Sequence, residues 1–123
     1  MEKTFASLGV TVDVPSGTDV CDDGPSGSIF GPNGIELALY ADPPSIEADR
    51  RDVIEGRCPV KKWSASSTSD DGWTFLFETE DGELGFEIGR RRPDRTVIFW
   101  GDRMRDANAR DEAIAIAKRA VLS

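Results

Sequence analysis

The stretch Trp73-Thr-Phe-Leu-Phe-Glu-Thr-Glu-Asp-Gly-Glu-Leu-Gly-Phe-Glu-Ile-Gly-Arg90 decides the fold. Apolar and polar residues alternate on both sides of Asp81-Gly82, as in two strands joined by a tight turn. A two-residue turn pairs residues whose numbers sum to 163, with Phe77 opposite Phe86. One face of this hairpin then carries Trp73, Phe75, Phe77, Phe86 and Ile88. The other face, predicted to be the more polar one, carries Thr74, Leu76, Glu78, Gly85, Glu87 and Gly89.

Alternating segments before and after this hairpin predict further strands. Leu8–Val14 places four apolar residues on one face and stops at Pro15. The remaining predicted strands are Thr18–Cys21, a hairpin within Ser28–Tyr40, Val60–Ala65 and Arg95–Trp100. Ser66–Gly72 is predicted as a polar loop.

Two segments have helical spacing. Ile46–Glu55 is predicted as a helix with Ser45 as its N-cap and Gly56 as its stop. A C-terminal helix follows Asn108 as N-cap. Its predicted buried stripe is Ala113, Ile116, Ala117, Ala120 and Val121. We therefore predict an α+β fold in one domain, residues 1–123: a single antiparallel sheet of about six or seven strands with one internal and one C-terminal helix.

Charge is unevenly distributed along the chain. The 23 acidic residues outnumber the 15 basic ones, so the net charge is −8. Residues 1–49 carry nine acids and one lysine, whereas residues 50–123 are balanced. Because a negative surface repels phosphate backbones, we expect no nucleic-acid binding. The same charge either favours a basic protein partner or serves solubility alone.

The residue types exclude several chemistries. The chain has no histidine, the commonest general base and a common zinc ligand. The Asp-Gly pairs lack the spacing of a calcium loop. We therefore predict no metal site, no cofactor and no catalytic residue. No apolar stretch is long enough for a membrane span.

The cellular compartment determines whether the two cysteines are expected to be reduced or joined in a disulfide. Without a signal-peptide pattern we expect a cytoplasmic protein in which Cys21 and Cys58 are reduced. If a leader was removed, a secreted or periplasmic protein with a Cys21–Cys58 disulfide remains an alternative.

An arginine-rich segment is the clearest candidate binding site. Arg90, Arg91, Arg92 and Arg95 surround a predicted hairpin loop. Arginine is enriched at protein interfaces and binds carboxylates in a bidentate manner. The four side chains could contact another protein, or pair with the acidic segment 63–89. Trp63, Trp73 and Trp100 are interpreted as core and rim residues rather than a ligand platform.

Paired carboxylates offer a catalytic alternative. Glu78 and Glu87 share a face in the predicted register, and Glu80 and Glu83 flank the turn. A hydrolase needs two such groups across a cleft. We interpret all four as solvated surface residues.

The opening strand with its Pro-x-Gly turn, Val10–Gly17, and the closing helix Ala-Ile-Ala-Lys-Arg-Ala-Val resemble the PsbP-like superfamily. This superfamily includes DcrB-like proteins and type VI secretion effector chaperones. The resemblance implies a non-enzymatic accessory or binding module with a protein partner.

The sequence thus favours a non-catalytic, chaperone-like or accessory protein-binding module, compatible with a homodimer. One alternative is an acidic immunity protein that inhibits a basic toxin. The other is a carboxylate-dependent hydrolase.

Overall fold

The computed structural model describes residues 1–44 and 50–123. Short 3-10 turns lie at Ala6–Leu8 and Pro32–Gly34. The strands are β1 (Glu2–Phe5), β2 (Val10–Asp13), β3 (Asp19–Asp22), β4 (Ser26–Phe30), β5 (Glu36–Asp42), β6 (Val60–Ser69), β7 (Gly72–Thr79), β8 (Leu84–Arg91), β9 (Thr96–Met104) and β10 (Val121–Leu122). The helices are α1 (Arg50–Arg57) and α2 (Ala107–Arg119). Neither helix is long and apolar enough to cross a membrane within these described ranges.

Seven strands form the main sheet in the order β3-β4-β5-β9-β8-β7-β6, and every pairing is antiparallel. The α+β class and the seven-stranded antiparallel sheet are therefore confirmed. The structure adds a second sheet, β1-β2-β10. The predicted opening strand lies in this small sheet, and its alternating residues Leu8, Val10, Val12 and Val14 are all buried.

Helix α2 packs on one face of the main sheet. Its alanines allow close approach to an apolar layer that includes Leu39, Phe86 and Phe99. The N-cap is Asp106, whose carboxylate accepts a hydrogen bond from the Asn108 amide at 2.8 Å, and not Asn108 as predicted. The predicted stripe is buried except for Val121, which is 63% exposed because the helix ends at Arg119 and β10 begins.

Helix α1 packs on the opposite face of the sheet. The predicted N-cap Ser45 and the first residue of the predicted helix, Ile46, lie outside the described residues. Within them, α1 continues through Gly56 to Arg57 rather than stopping at the glycine. Ile54 is fully buried against Trp73, Phe77 and other members of a second apolar cluster. Both faces of the central strands are thus covered.

The β6–β7 hairpin is longer than predicted. β6 extends to Ser69, so most of the segment predicted as a loop is strand. Backbone hydrogen bonding to β7 outweighs the polar composition, because an exposed strand needs no apolar side chains.

The register of the central hairpin differs from the prediction by one residue. β7 and β8 pair residues whose numbers sum to 162, so Phe77 lies opposite Gly85 and Phe75 opposite Glu87. The cause is the turn: Glu80-Asp81-Gly82 is a three-residue loop closed by hydrogen bonding of the Thr79 amide to the Glu83 carbonyl. Gly82 supplies the positive φ (79°) that such a loop requires at its last position.

Glycines on β8 make this register possible. A Cβ at Gly85 would lie 2.3 Å from the Phe77 ring, and one at Gly89 would lie 2.2 Å from the Trp73 ring. The rings of β7 therefore occupy the space that side chains on β8 would take. As a consequence, Glu87 lies on the α1 face with Trp73, Phe75 and Phe77, while Phe86 and Ile88 face α2.

Candidate functional site

Glu87 is fully buried between α1 and the sheet, where it was predicted to be solvated. Its carboxylate accepts four hydrogen bonds. Arg50 donates from Nε and Nη2, both at 2.8 Å, Arg57 donates from Nη1 at 3.2 Å, and Trp73 donates from Nε1 at 3.0 Å. Four N–H donors match the acceptor sites of the two oxygens. Glu78, its partner in the hydrolase alternative, lies opposite Leu84 on the other face, so the prediction that Glu78 and Glu87 share a face is wrong.

Aromatic rings enclose the two arginines that hold Glu87. The Arg50 guanidinium lies 5.1 Å from the centre of the Trp73 ring, and that of Arg57 lies 4.1 Å from the Trp100 ring. Burial by itself lowers the pKa of Arg50. The hydrogen bonds that Arg50 donates to Glu87 and Tyr40, together with the attraction of these groups, outweigh burial, so the pKa of Arg50 lies above its ordinary value. We conclude that this cluster is a structural anchor that fixes α1 on the sheet.

Sequence reasoning missed this anchor, although the sequence carries a signal for it. Arg50 and Arg57 are seven residues apart, which places them on the same side of a helix. The predicted helix ended at Glu55, before Arg57. The predicted register of the hairpin placed Glu87 on the face opposite to Trp73.

Beyond α1, the described residues leave the same sheet face open. Strands β3, β4 and β5 turn alternate residues outward on this face, and we call this surface the open sheet face. It consists of Asp19, Cys21, Ser26, Ser28, Phe30, Glu36, Ala38 and Tyr40. Phe30 is 49% exposed, an unusual state for a large aromatic side chain on a strand.

Phe30 lies between two carboxylates. Asp19 is its direct cross-strand neighbour on β3, and Glu36 is its direct neighbour on β5. Directly opposite residues have Cβ atoms about 4.5–5.5 Å apart. The ring therefore presents an apolar surface with a negative charge on each side.

Two adjoining hollows connect the open sheet face to α1. They have volumes of about 330 Å³ and 540 Å³ and share Ser28, Ala38, Arg57 and Trp100 as lining residues. Small side chains on the strands leave this space. Val53, 37% exposed on α1, lines the larger hollow.

The predicted arginine site does not form one cluster of free cations. Arg90 donates to the carbonyl oxygens of Ala117 and Ala120 at the end of α2. Arg95 donates to the carbonyls of Leu8 and Gly9 at 3.0 Å, joining the small sheet to the β8–β9 loop. Arg91 lies 5.5 Å from the Trp73 ring, and Arg92 is exposed.

The two cysteines are free thiols, so the disulfide considered as an alternative is not formed. Cys21 is exposed, and its hydrogen bond to Asp23 at 3.3 Å raises its pKa. Cys58 follows α1 and is half-buried. Burial and the nearby charge of Asp102 raise the pKa of the Cys58 thiol to about 11.

We expect iodoacetamide at about pH 8 to label Cys21 at least tenfold faster than Cys58, because Cys21 is exposed, whereas Cys58 is half-buried and its raised pKa leaves little of the reactive thiolate. Mass spectrometry of the native protein measures both rates. Labelling in denaturant is the control and should make the rates similar. Equal rates in the native protein would contradict the placement of Cys58.

A seven-stranded antiparallel sheet with a helix on each face and a small second sheet is a PsbP-like fold, as the sequence resemblance led us to expect. The solution structure of cyanobacterial PsbP (CyanoP) from Synechocystis sp. PCC 6803 is similar, with a TM-score of 0.66. The similarity covers 100% of this chain and 92% of that chain at 11% sequence identity, which shows a shared fold. No family model matches the sequence, and no curated protein matches it.

Proposed function

We propose that this protein is a non-enzymatic binding module whose open sheet face binds a basic segment of another protein. The observation that carries the proposal is Phe30, half-exposed between Asp19 and Glu36. An aromatic ring with flanking carboxylates suits a lysine or arginine side chain, which gains both ion pairing and a cation–π contact.

The two hollows indicate that the bound segment carries an apolar residue beside its lysine or arginine. Trp100 lines the same hollow as Phe30, Val53 lines the adjoining hollow, and Ser28 and Ala38 leave room for the incoming chain. Deep pockets that bury a contacting side chain are where binding energy concentrates at interfaces.

The saturated carboxylate of Glu87 supports binding rather than catalysis. A general base must accept a proton from its substrate, but all four acceptor sites of Glu87 are occupied and none of its surface is exposed. The PsbP-like fold agrees with an accessory role.

The acidic residues of the same face favour a second candidate. An immunity protein covers the basic active site of a toxin with acidic side chains, and Asp19 and Glu36 could serve that purpose. The two candidates differ in the partner: an accessory module binds a short extended segment, whereas an immunity protein needs a folded basic surface.

A random peptide library displayed on phage tests the first candidate. We expect the immobilised protein to enrich peptides with lysine or arginine beside an apolar residue. Phe30→Ala should weaken the affinity for an enriched synthetic peptide at least tenfold. Asp19→Asn/Glu36→Gln should weaken it similarly, because the flanking charges are lost.

Matched variants serve as controls for this experiment. Val121→Ala removes another exposed apolar side chain, and Glu80→Gln/Asp81→Asn removes two exposed charges at the β7–β8 turn. Both should leave the affinity unchanged, as measured by calorimetry. Enrichment of acidic peptides, or equal binding by Phe30→Ala, would overturn the proposal. Binding of folded basic proteins without binding of peptides would favour the immunity candidate.

A further inference from the structure

We propose that the outer edge of β6 pairs antiparallel with the same edge of a second copy of this chain. β6 is the last strand of the main sheet and, among the described residues, pairs only with β7. Its outer backbone N–H and C=O groups are therefore available for another strand. This surface is distinct from the open sheet face and does not depend on the proposed function.

The second half of this edge, Ala65–Ser69, lacks the charges, prolines and bulges that usually prevent strand pairing. β6 has ten residues, and the exposed segment Ser64–Ser69 contains no charge and no proline. Its pairing with β7 is irregular near Lys61 and Ser64 but regular from Ala65 to Ser69. A regular, uncharged edge accepts a further strand, whereas charged or proline-containing edges resist it.

Charges at the two ends of this segment select the partner. Lys61 and Lys62 precede it, and Asp70 and Asp71 follow it. If Ser66 lies opposite the Ser66 of a second copy, antiparallel pairing brings the basic start of each β6, Lys61 and Lys62, close to the acidic β6–β7 turn of the other copy, Asp70 and Asp71. Opposite charges brought close together at both ends favour this association. The sequence of β6 is therefore complementary to itself.

The other edge strand of the main sheet, β3, is less suited to self-pairing. β3 has only four residues, with Asp19 and Asp22 at its ends. Antiparallel self-pairing there would place aspartate opposite aspartate, which is unfavourable. Among the described strands of the main sheet, β6 is therefore the edge that favours self-pairing, and two-fold pairing through this one edge closes as a dimer rather than extending into a fibre.

We expect a reversible dimer, because two paired strands bury less surface than a standard interface. Sedimentation velocity across a thousand-fold range of concentration measures the dissociation constant. Lys61→Glu/Lys62→Glu makes both ends of the segment acidic, and Asp70→Lys/Asp71→Lys makes both ends basic. Each variant alone should weaken dimerisation on the order of 10-fold, because like charges then meet at both ends of the paired segment.

Mixing the two variants in equal amounts is the decisive measurement. In a mixed dimer, the charges that meet at each end of the segment are again opposite, so we expect heterodimers with an affinity close to that of the wild type. Their formation also shows that both variants are folded. Arg103→Glu/Arg105→Glu changes the net charge as much as the lysine variant, on exposed side chains away from β6, and should dimerise normally. A wild-type protein that stays monomeric, or a dimer that the swaps leave unchanged, overturns the proposal.

Discussion

Glu87→Met is expected to lower the free energy of unfolding by about 3–5 kcal/mol. The substitution keeps the approximate volume of the side chain but removes the carboxylate. Arg50 and Arg57, whose side chains are 9% and 19% exposed, then lose their shared counter-charge in a poorly hydrated site. For a chain of 123 residues the loss corresponds to a fall in melting temperature of roughly 15 °C. Urea denaturation followed by circular dichroism measures it.

A double variant separates the ion pair from the general packing. Arg50→Met/Glu87→Met removes both partners, and we expect it to be more stable than Glu87→Met alone, since an apolar pair of similar volume replaces the buried charges. Glu83→Gln is the matched control. Its carboxylate lies 4.0 Å from the exposed Arg105, so its loss should change the stability by less than about 0.5 kcal/mol. A Glu87→Met variant as stable as Glu83→Gln would show that the anchor is not formed.

Most elements of the fold follow from local patterns in the sequence. The alternation of Trp73, Phe75 and Phe77 predicts a strand, and the alanine-rich stripe of Ala113 and Ala117 predicts a helix against a sheet. Both are confirmed. These patterns depend on the spacing of neighbouring residues, which one sequence displays completely.

The register of the β7–β8 hairpin could not be obtained in the same way. A sheet covered on one face has one favourable register, because a shift by one residue exposes its apolar side chains. β8 is covered on both faces, so Phe86 and Ile88 are buried in either register. The apolar pattern therefore cannot choose between them, and the turn and the glycines decide.

Neither part of the candidate site, the Glu87 anchor or the exposed Phe30, could be predicted from local patterns. The Glu87 anchor depends on the β7–β8 register and on residues far apart in the chain. Glu87 and Arg50 meet only because Gly82 closes a three-residue loop and α1 crosses the sheet. Phe30, by contrast, stands out only once its exposure is known. Its alternation with the buried Ile29 predicts that the two side chains point to opposite faces, but not that α1 leaves the face of Phe30 uncovered.

Gly89→Ala is expected to lower the free energy of unfolding by about 3 kcal/mol. The new methyl group would lie 2.2 Å from Cε2 of Trp73 and 2.3 Å from Cζ2. The ring cannot easily move, because its Nε1 donates to Glu87 and the Arg50 guanidinium lies over its face. In the alternative register, with pairs summing to 163, Gly89 would face away from Trp73 and the substitution would be mild. Chemical denaturation of the variant therefore tests the register itself.

A glycine without close neighbours provides the control for this prediction. Among the described residues, nothing outside the helix backbone and the adjacent residues lies within 4 Å of a Cβ built on Gly56 in α1, so Gly56→Ala should raise the stability by about 0.5–1 kcal/mol through helix propensity. In a Trp73→Leu background the smaller side chain leaves room for the methyl group, and Gly89→Ala should then have less than half of its original effect. An unchanged effect in that background would mean that the loss arises from the backbone of β8, and that the Trp73 ring does not determine how the hairpin pairs.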